Sequence, residues 1–80
     1  MQKIKATIDL RLFATLQKYT PAGAEQYTIE PGMRLADLIG RLGIPLMQSK
    51  LIFVNGRKRD PDTILEGGER VAIFPPIGGG

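Results

Sequence analysis

The end of this 80-residue chain reads RVAIF at residues 70–74, followed by PPIGGG at residues 75–80. Residues 70–74 place apolar side chains on both faces of an extended segment, which is typical of a central strand. The two prolines cannot continue a β-ladder because they lack a backbone N–H, so they hold the chain extended as it leaves the sheet. The three glycines carry no Cβ and can pass through a channel too narrow for a side chain. We therefore predict one domain over residues 1–74 and a flexible tail over residues 75–80.

The first thirty residues predict an antiparallel hairpin. Residues 3–12 alternate strictly, which predicts a half-buried strand whose apolar face consists of Ile4, Ala6, Ile8, Leu10 and Leu12. The alternation breaks at Phe13, and turn-forming residues follow over 18–23, so we expect a short helical turn or a loop. Residues 24–30 predict a second strand that ends at a Pro-Gly pair.

Residues 33–42 change to a helical period. Their apolar residues recur at i, i+3, i+4 and i+7, which predicts a helix with one stripe formed by Leu35, Leu38, Ile39 and Leu42. Gly43 is placed to end the helix. At the start of the helix, no Ser, Thr, Asp or Asn is placed to cap it. Gly40 is unfavourable inside a helix, and we attribute it to close packing against the sheet.

The second half of the chain predicts short strands joined by tight turns. Residues 51–54 form an apolar strand, Asn55-Gly56 is a strong hairpin turn, and the basic residues 57–59 return. Residues 60–62 and 66–69 predict two further turns on the way to the last strand. The prediction is an α+β fold with a mixed sheet of four to five strands and one main helix on one face. If the first and last strands are parallel neighbours at the centre, the fold is a β-grasp, the ubiquitin-like roll.

Composition excludes several kinds of chemistry. The chain has no cysteine and no histidine, which removes disulfides, thiolate nucleophiles and the commonest metal ligands, so we predict no metal site and no autonomous enzyme. The net charge of +3 is scattered and does not predict nucleic-acid binding. Because no apolar run reaches membrane-spanning length and the first residues lack a signal-peptide core, we expect no membrane partner and a cytoplasmic location.

The candidate reacting group is the carboxylate of Gly80. It is ionised above a pKa of about 3.5 and is the only potential nucleophile on a flexible, unhindered lead. The alternative is an uninformative frayed terminus. The glycine-rich segments at residues 67–68 and 78–80 are not phosphate loops, because they lack the Lys-Ser/Thr ending of such a loop. The basic residues 57–59 are more typical of a solvated edge strand than of a docking patch. Phe13 and Phe74 fit either the core or an exposed apolar patch beside the tail.

Residues 54–80 resemble the C-terminal half of the MoaD/ThiS family of ubiquitin-like sulfur carriers. The resemblance rests on Val-Asn-Gly at residues 54–56, on Leu-Glu-Gly-Gly-Glu at residues 65–69 and on the Phe-Pro-Pro-Ile-Gly-Gly-Gly ending. Residues 35–39 are similar to the family's helix, and the first strand running into Phe13 is similar to its opening strand. The double proline is more similar to the molybdopterin synthase small subunit than to the thiamine carrier.

This resemblance implies a β-grasp fold and a defined partnership. A ubiquitin-activating-like enzyme would use ATP and Mg to adenylate Gly80, whose carboxylate would then become a thiocarboxylate. The sulfur would pass to an acceptor such as the molybdopterin synthase large subunit, for molybdenum or tungsten cofactor synthesis. The chain itself would bind no cofactor and would be a non-catalytic subunit. The residues expected to contact partners are Phe13, Phe74, Pro75, Pro76, Ile77, Gly78 and Gly79.

Other functions stay open at this point. The chain could carry sulfur for thiamine or for another metabolite, or it could be a ubiquitin-like modifier whose Gly80 is joined to lysine. A β-grasp interaction module with an idle tail is the alternative without chemistry.

Overall fold

The computed structural model describes residues 6–45, 47, 49 and 51–76. The helical elements are the 3₁₀ helices Ala14–Tyr19 and Ala24–Gln26 and the α-helix α1 at Leu35–Leu42. The strands are β1 (Ala6–Leu12), β2 (Tyr27–Ile29), β3 (Met33–Arg34), β4 (Leu51–Val54), β5 (Arg57–Arg59), β6 (Ile64–Leu65) and β7 (Arg70–Phe74). Within these residues, no helix is long and apolar enough to cross a membrane.

Five strands form one mixed sheet in the order β2-β1-β7-β4-β5. The first and last strands, β1 and β7, are parallel neighbours, with Asp9 opposite Arg70 and Leu12 opposite Ile73. The remaining pairs in this sheet are antiparallel. The predicted mixed sheet and β-grasp arrangement are therefore confirmed. The predicted first strand is confirmed over residues 6–12, and its residues 3–5 lie outside the described part of the chain.

The core lies between this sheet and α1. Alternate residues of β1 and β7 face it, and three residues of the predicted helical stripe cover it from the other side. Its buried side chains are Ile8, Leu10, Leu12, Leu16, Ile29, Leu35, Leu38, Ile39, Ile44, Ile52, Val54, Leu65, Val71 and Ile73. The helix thus covers one face of the sheet, and the residues of the other face are exposed or half-buried.

The helix begins two residues later than predicted because the preceding residues form a strand. Met33 and Arg34 make β3, which pairs with β6 in a separate two-stranded sheet. Arg34 offers no side-chain cap, and the backbone N–H of Leu35 instead donates to the carbonyl of Thr63 at 2.9 Å. Loop carbonyls therefore supply the acceptors that a capping side chain normally provides.

The C-terminal end of α1 confirms one glycine assignment and corrects another. Gly43 has a φ of 81°, the left-handed conformation that ends many helices, as predicted. The attribution of Gly40 to close packing is wrong, because Gly40 is exposed and an added Cβ would meet no atom within 4 Å. It lies on the solvent side of the helix, where nothing in the structure requires a glycine.

Two turns position β7. Asn55 and Gly56 have φ values of 53° and 82°, as a two-residue hairpin of the primed type requires, and Asn55 Oδ1 accepts a hydrogen bond from the Arg70 N–H at 3.0 Å. In the next turn, the Glu69 carboxylate accepts the N–H groups of residues 66 and 67, each at 2.7 Å. The N–H of residue 68 donates to the carbonyl of Thr7 at 2.7 Å. These bonds hold the start of β7 against both of its neighbours.

The predicted second strand is shorter than expected. Residues 24–26 form a 3₁₀ turn, and only Tyr27–Ile29 pairs with β1, antiparallel as predicted. The turn predicted at residues 60–62 is confirmed, since the N–H of Asp62 donates to Asp60 Oδ1 at 3.1 Å. These two carboxylates are therefore turn residues, as expected.

Candidate functional site

The face of the five-stranded sheet that points away from α1 carries the candidate site; we call it the outer face. Strand register fixes which side chains share a row on it. Ala72 lies directly opposite Arg11 on β1 and opposite Phe53 on β4, and Phe53 lies opposite Lys58 on β5. Because side chains alternate between the two faces of a strand, these four share the outer face, whereas the neighbouring residues of β7 point into the core.

Three aromatic rings meet at one end of the outer face, and we call Phe13, Phe53 and Phe74 the aromatic cluster. The rings of Phe13 and Phe74 stack with centroids 4.4 Å apart and planes 6° apart. The ring of Phe53 meets Phe74 edge-on at 5.7 Å and 86°. Phe13 is 37% exposed and the other two are half-buried. The question left open for Phe13 and Phe74 is thereby answered, because both belong to an exposed apolar patch rather than to the core.

The predicted tail leaves the sheet beside this cluster. The N–H of Phe13 donates to the carbonyl of Ile73 at 3.2 Å, one residue before β7 ends at Phe74. Pro75 follows half-buried and Pro76 is exposed. The structure thus brings Phe13, Phe74, Pro75 and Pro76 together at one end of the sheet. The other predicted site residues, Ile77, Gly78, Gly79 and Gly80, lie outside the described residues, and the roles of all eight stay predictions.

A shallow apolar groove runs along the outer face from the aromatic cluster. It has a volume of about 260 Å³ and is lined by Phe53, Gly56, Arg70, Ala72 and Phe74. The small side chain of Ala72 leaves the space between the larger residues. Sites for drug-sized ligands and cofactors run from roughly 300 to 1,000 Å³ and enclose most of the ligand. This groove is open rather than enclosing, and it is large enough for a single apolar side chain.

Positive charge surrounds the apolar part of the outer face. Arg11 Nε and Nη2 donate to the two carboxylate oxygens of Asp9 at 2.9 and 3.3 Å. The hydrogen bond from Arg11 lowers the pKa of Asp9, the charges of Arg11 and Arg70 lower it as well, and the same hydrogen bond raises the pKa of Arg11. Arg70 and Lys58 are exposed, and neither has an ion-pair partner among the described residues. The face is therefore apolar at its centre and cationic at its margin.

Acidic side chains do not assemble into a metal site in the described part of the chain. No group of three or more carboxylates there is arranged to hold a metal ion.

Phe53 and Arg70 are the site residues that sequence reasoning missed. Phe53 lies in the apolar run of residues 51–54, and this run has no alternation that would indicate which face of the sheet Phe53 occupies. The available signal was the Asn-Gly turn, because a two-residue hairpin sets the register of β4 and β5 and thus pairs Phe53 with Lys58. The pairing of β4 with β7, which places Arg70 at the groove, is a long-range contact without a local signal.

One comparison with known proteins identifies a family, and three solved structures are similar in fold. The sequence model of the ThiS family matches residues 10–80. The solution structure of the Haloferax volcanii HVO 2177 protein superposes with a TM-score of 0.71 at 22% identity, covering 95% of this chain and 88% of that one. The crystal structure of SAMP1 from Haloferax volcanii gives 0.63 at 19% identity, with coverage of 94% and 100%. Both are similar to this chain in fold.

A third structure has a slightly higher sequence identity to this chain. It is a Pyrococcus furiosus protein assigned as molybdopterin converting factor, subunit 1, with a TM-score of 0.60, 25% identity, and coverage of 90% of this chain and 99% of that one. No curated protein sequence matches this chain.

Proposed function

This chain belongs to the ThiS family of small ubiquitin-like carriers and modifiers, and from that membership we propose that it carries sulfur on Gly80 for molybdopterin synthesis. Proteins of this type are generally non-catalytic and partner with an E1-like activating enzyme and a sulfur acceptor. In the proposed reaction, the Gly80 carboxylate is adenylated and then converted to a thiocarboxylate. The chain is the protein substrate of that reaction and the small subunit of the enzyme that receives the sulfur.

One observation carries the proposal. The family match runs through residue 80, and the tail it includes is attached to the central strand of the sheet, directly beside an exposed aromatic cluster. A carboxylate on side-chain-free backbone can enter an enclosed site, and a rigid apolar face at its root can hold the partner in place. With neither cysteine nor histidine in the chain, no side chain competes with Gly80 as an evident nucleophile.

The chemistry divides between this chain and its partners. An oxygen of the Gly80 carboxylate attacks the α-phosphorus of ATP, and pyrophosphate leaves, which yields an acyl adenylate. A sulfur nucleophile at the oxidation level of hydrosulfide, supplied by another protein, then attacks the acyl carbon and displaces AMP. Mg and cationic groups on the activating enzyme stabilise the phosphate charge. This chain contributes the carboxyl group and the surface by which the enzyme recognises it.

The aromatic cluster supplies the binding energy that the tail lacks. Fixing each tail residue in a partner's cleft costs roughly 1–2 kcal/mol of backbone entropy. Backbone hydrogen bonds and one isoleucine are poor compensation for that cost, whereas Phe13 and Phe74 together offer a stacked apolar surface beside the tail's root. Pro75 and Pro76 are restricted in the free chain and lose little freedom on binding.

Two features lead us to propose the molybdopterin branch. The tail begins with the double proline that resembles the molybdopterin synthase small subunit. The Pyrococcus furiosus protein assigned as molybdopterin converting factor, subunit 1, shares 25% of its sequence with this chain over nearly its whole length. The large synthase subunit is then the proposed acceptor, bound by the same outer face.

Intact-mass analysis of the protein purified from its own cells tests the carrier function. A gain of about 16 Da in the intact mass corresponds to replacement of one carboxyl oxygen by sulfur, as expected if the terminus is the reacting group. A variant without Gly80 should fold normally and should fail to support ATP–pyrophosphate exchange by the activating enzyme. Undiminished exchange by that variant would refute the proposal.

Deletion of the gene then tests the pathway. Loss of molybdenum or tungsten enzyme activity supports the molybdopterin assignment. Thiamine auxotrophy supports the thiamine alternative, and recovery of isopeptides between Gly80 and lysine supports the modifier alternative.

Binding and reaction can be separated with two further variants. Phe74→Ala should weaken binding to the activating enzyme by about tenfold or more, because it removes the ring that contacts both other members of the cluster. Gly79→Ala should bind nearly as well and react poorly, because a methyl group next to the reacting carboxyl misplaces it. Equal effects of the two variants on affinity would contradict the division between face and tail.

A further inference from the structure

The charges around the groove identify what kind of surface the activating enzyme must present. We propose that Lys58 and Arg70 are specificity-determining residues that pair with carboxylates on that enzyme, on either side of an apolar side chain seated in the groove. This inference rests on the proposed carrier function and adds to it the chemistry of the partner.

The groove defines the apolar part of the contact. Its lining combines the rings of Phe53 and Phe74 with the small residues Ala72 and Gly56 and with Arg70. The groove is open rather than enclosing, and its volume of about 260 Å³ is large enough for one apolar side chain of a protein partner. Small, well-packed apolar pockets near the centre of an interface are where anchor residues usually bind.

Two cations at the margin define the polar part. Lys58 lies opposite Phe53 on the edge strand, and Arg70 lines the groove. Arg11, the third cation of the outer face, already binds Asp9 through both carboxylate oxygens. The face therefore has two cations without an ion-pair partner among the described residues, next to an apolar centre. A partner with carboxylates at those two positions is complementary, and one with cations there is repelled.

Lys58 has an alternative explanation as a charge that protects an edge strand from aggregation. That role makes no distinction between the two faces of β5, because any charge on the strand would serve. Docking does distinguish them. Lys58 lies on the outer face with Phe53, whereas Arg59 lies opposite Ile52, whose side chain is buried on the helix side. The two residues are adjacent, both are exposed, and they differ in the face they occupy.

This difference provides a matched pair for the test. Lys58→Glu and Arg59→Glu change the net charge equally on the same strand. The affinity of each purified protein for the activating enzyme from the same cells is measured by interferometry at about 50 mM and about 500 mM salt, where the Debye length falls from roughly 14 to 4 Å. Steady-state ATP–pyrophosphate exchange is measured with the same proteins, and thermal unfolding verifies that each variant is folded.

The expected result is specific to the face and to the salt concentration. Lys58→Glu should bind about threefold to tenfold more weakly at low salt, mainly through slower association, and the difference should shrink at high salt. Arg59→Glu should bind within about twofold of wild type, since its face is not in the contact. In the exchange assay, Lys58→Glu should raise KM for the carrier and leave kcat unchanged, because the tail chemistry is intact.

Arg70 is tested without a charge reversal, since Asp9 lies directly opposite it and would oppose a new carboxylate. Arg70→Gln should weaken binding about twofold to fivefold at low salt. Ala72→Leu should weaken it by a similar factor at both salt concentrations, because it fills the groove without changing charge.

Several outcomes would overturn the inference. Equal losses in Lys58→Glu and Arg59→Glu would mean that only net charge matters. If Lys58→Glu bound the activating enzyme as tightly as wild type, Lys58 would not pair with a carboxylate of that enzyme. A loss of affinity found only with the sulfur acceptor would show that the wrong partner was chosen. Absence of exchange with the wild-type protein would overturn the carrier function itself, whereas normal exchange with equal affinities would overturn this inference alone.

Discussion

Replacing Gly67 by alanine tests how the turn before β7 determines the site. Gly67 has a φ of 120°, a region that L-residues rarely adopt, and a Cβ built on it would overlap the Cβ of Ala6 on β1. The neighbouring Gly68 has a φ of 85°, but its added Cβ would meet no atom within 4 Å. Gly68→Ala is therefore a matched control that introduces backbone strain without the overlap.

The two variants should differ measurably in stability. Gly68→Ala should lower the free energy of unfolding by about 1 kcal/mol. The left-handed conformation costs an alanine roughly 1–2 kcal/mol, and the reduced conformational freedom of the unfolded chain offsets part of that cost. Gly67→Ala carries strain of about 1–3 kcal/mol and a further 1–3 kcal/mol for the overlap, because the Cβ of Ala6 can move only with its backbone. The expected total of roughly 2–6 kcal/mol is a large part of the 5–15 kcal/mol that stabilises a typical domain.

Thermal and urea unfolding followed by circular dichroism provide the measurement. A loss of 1 kcal/mol lowers Tm by about 4–8 °C in a domain of this size, so Gly67→Ala should melt at least about 8 °C below wild type and clearly below Gly68→Ala. Unchanged urea m-values would show that the unfolded states are comparable. If Gly67→Ala were no less stable than Gly68→Ala, the close approach of this turn to β1 would be wrong, and with it the bonds that align β7.

Three other predictions concern the sheet itself. Ile8→Asp should unfold the domain, because it buries an unpaired carboxylate at a cost of several kcal/mol. Its control, Thr7→Asp on the exposed face, should melt at a temperature close to that of wild type. Similar melting temperatures of the two variants would contradict the assigned core face. NMR titration should give Asp9 a pKa below its usual value, and Arg11→Met should raise it. Because the folded-state pKa is lowered, the Asp9 ion pair stabilises the fold above the usual pKa of the carboxyl, and this stabilisation is lost as pH falls through the folded-state value; an unshifted pKa would contradict the ion pair. Asn55→Ala should cost about 1–3 kcal/mol in urea unfolding, since it loses a hydrogen bond to β7 and strains a left-handed turn position; a loss below 0.5 kcal/mol would contradict both roles.

Local patterns predicted the elements that have a clear period. The alternation around Ile8 and the helical stripe from Leu35 to Leu42 each extend over several residues, and burial of one face enforces them. The Asn-Gly turn was equally informative, because few sequences allow two successive left-handed residues. From these signals, the mixed sheet could be predicted. The parallel arrangement of its first and last strands could be considered as one possibility.

The errors arose where structure depends on distant partners. Strands β3 and β6 contain two residues each, which is too short for any period, and they exist only because they pair with each other. Gly40 was explained by a contact that the helix orientation does not provide. The aromatic cluster was partly foreseen, since Phe13 and Phe74 were chosen, but Phe53 joins them through the pairing of β4 with β7. Register across the sheet is set by the whole fold and leaves no mark in a short window.

The position of β7 fixes where the predicted tail begins relative to the outer face, and under the proposed function a partner recognises the two together. This strand is paired on both sides, with β1 and with β4, so it cannot move without breaking two ladders. The root of the tail is therefore fixed relative to the aromatic cluster and the groove. Gly80 is the sixth residue after Phe74, and a fully extended chain spans at most about 3.3–3.6 Å per residue, so the Gly80 carboxyl can lie no more than roughly 22 Å from Phe74. Under the proposed function, the activating enzyme places its docking surface and its ATP site within that distance. We expect a protein without a surface complementary to the outer face to meet the tail alone and to bind it weakly.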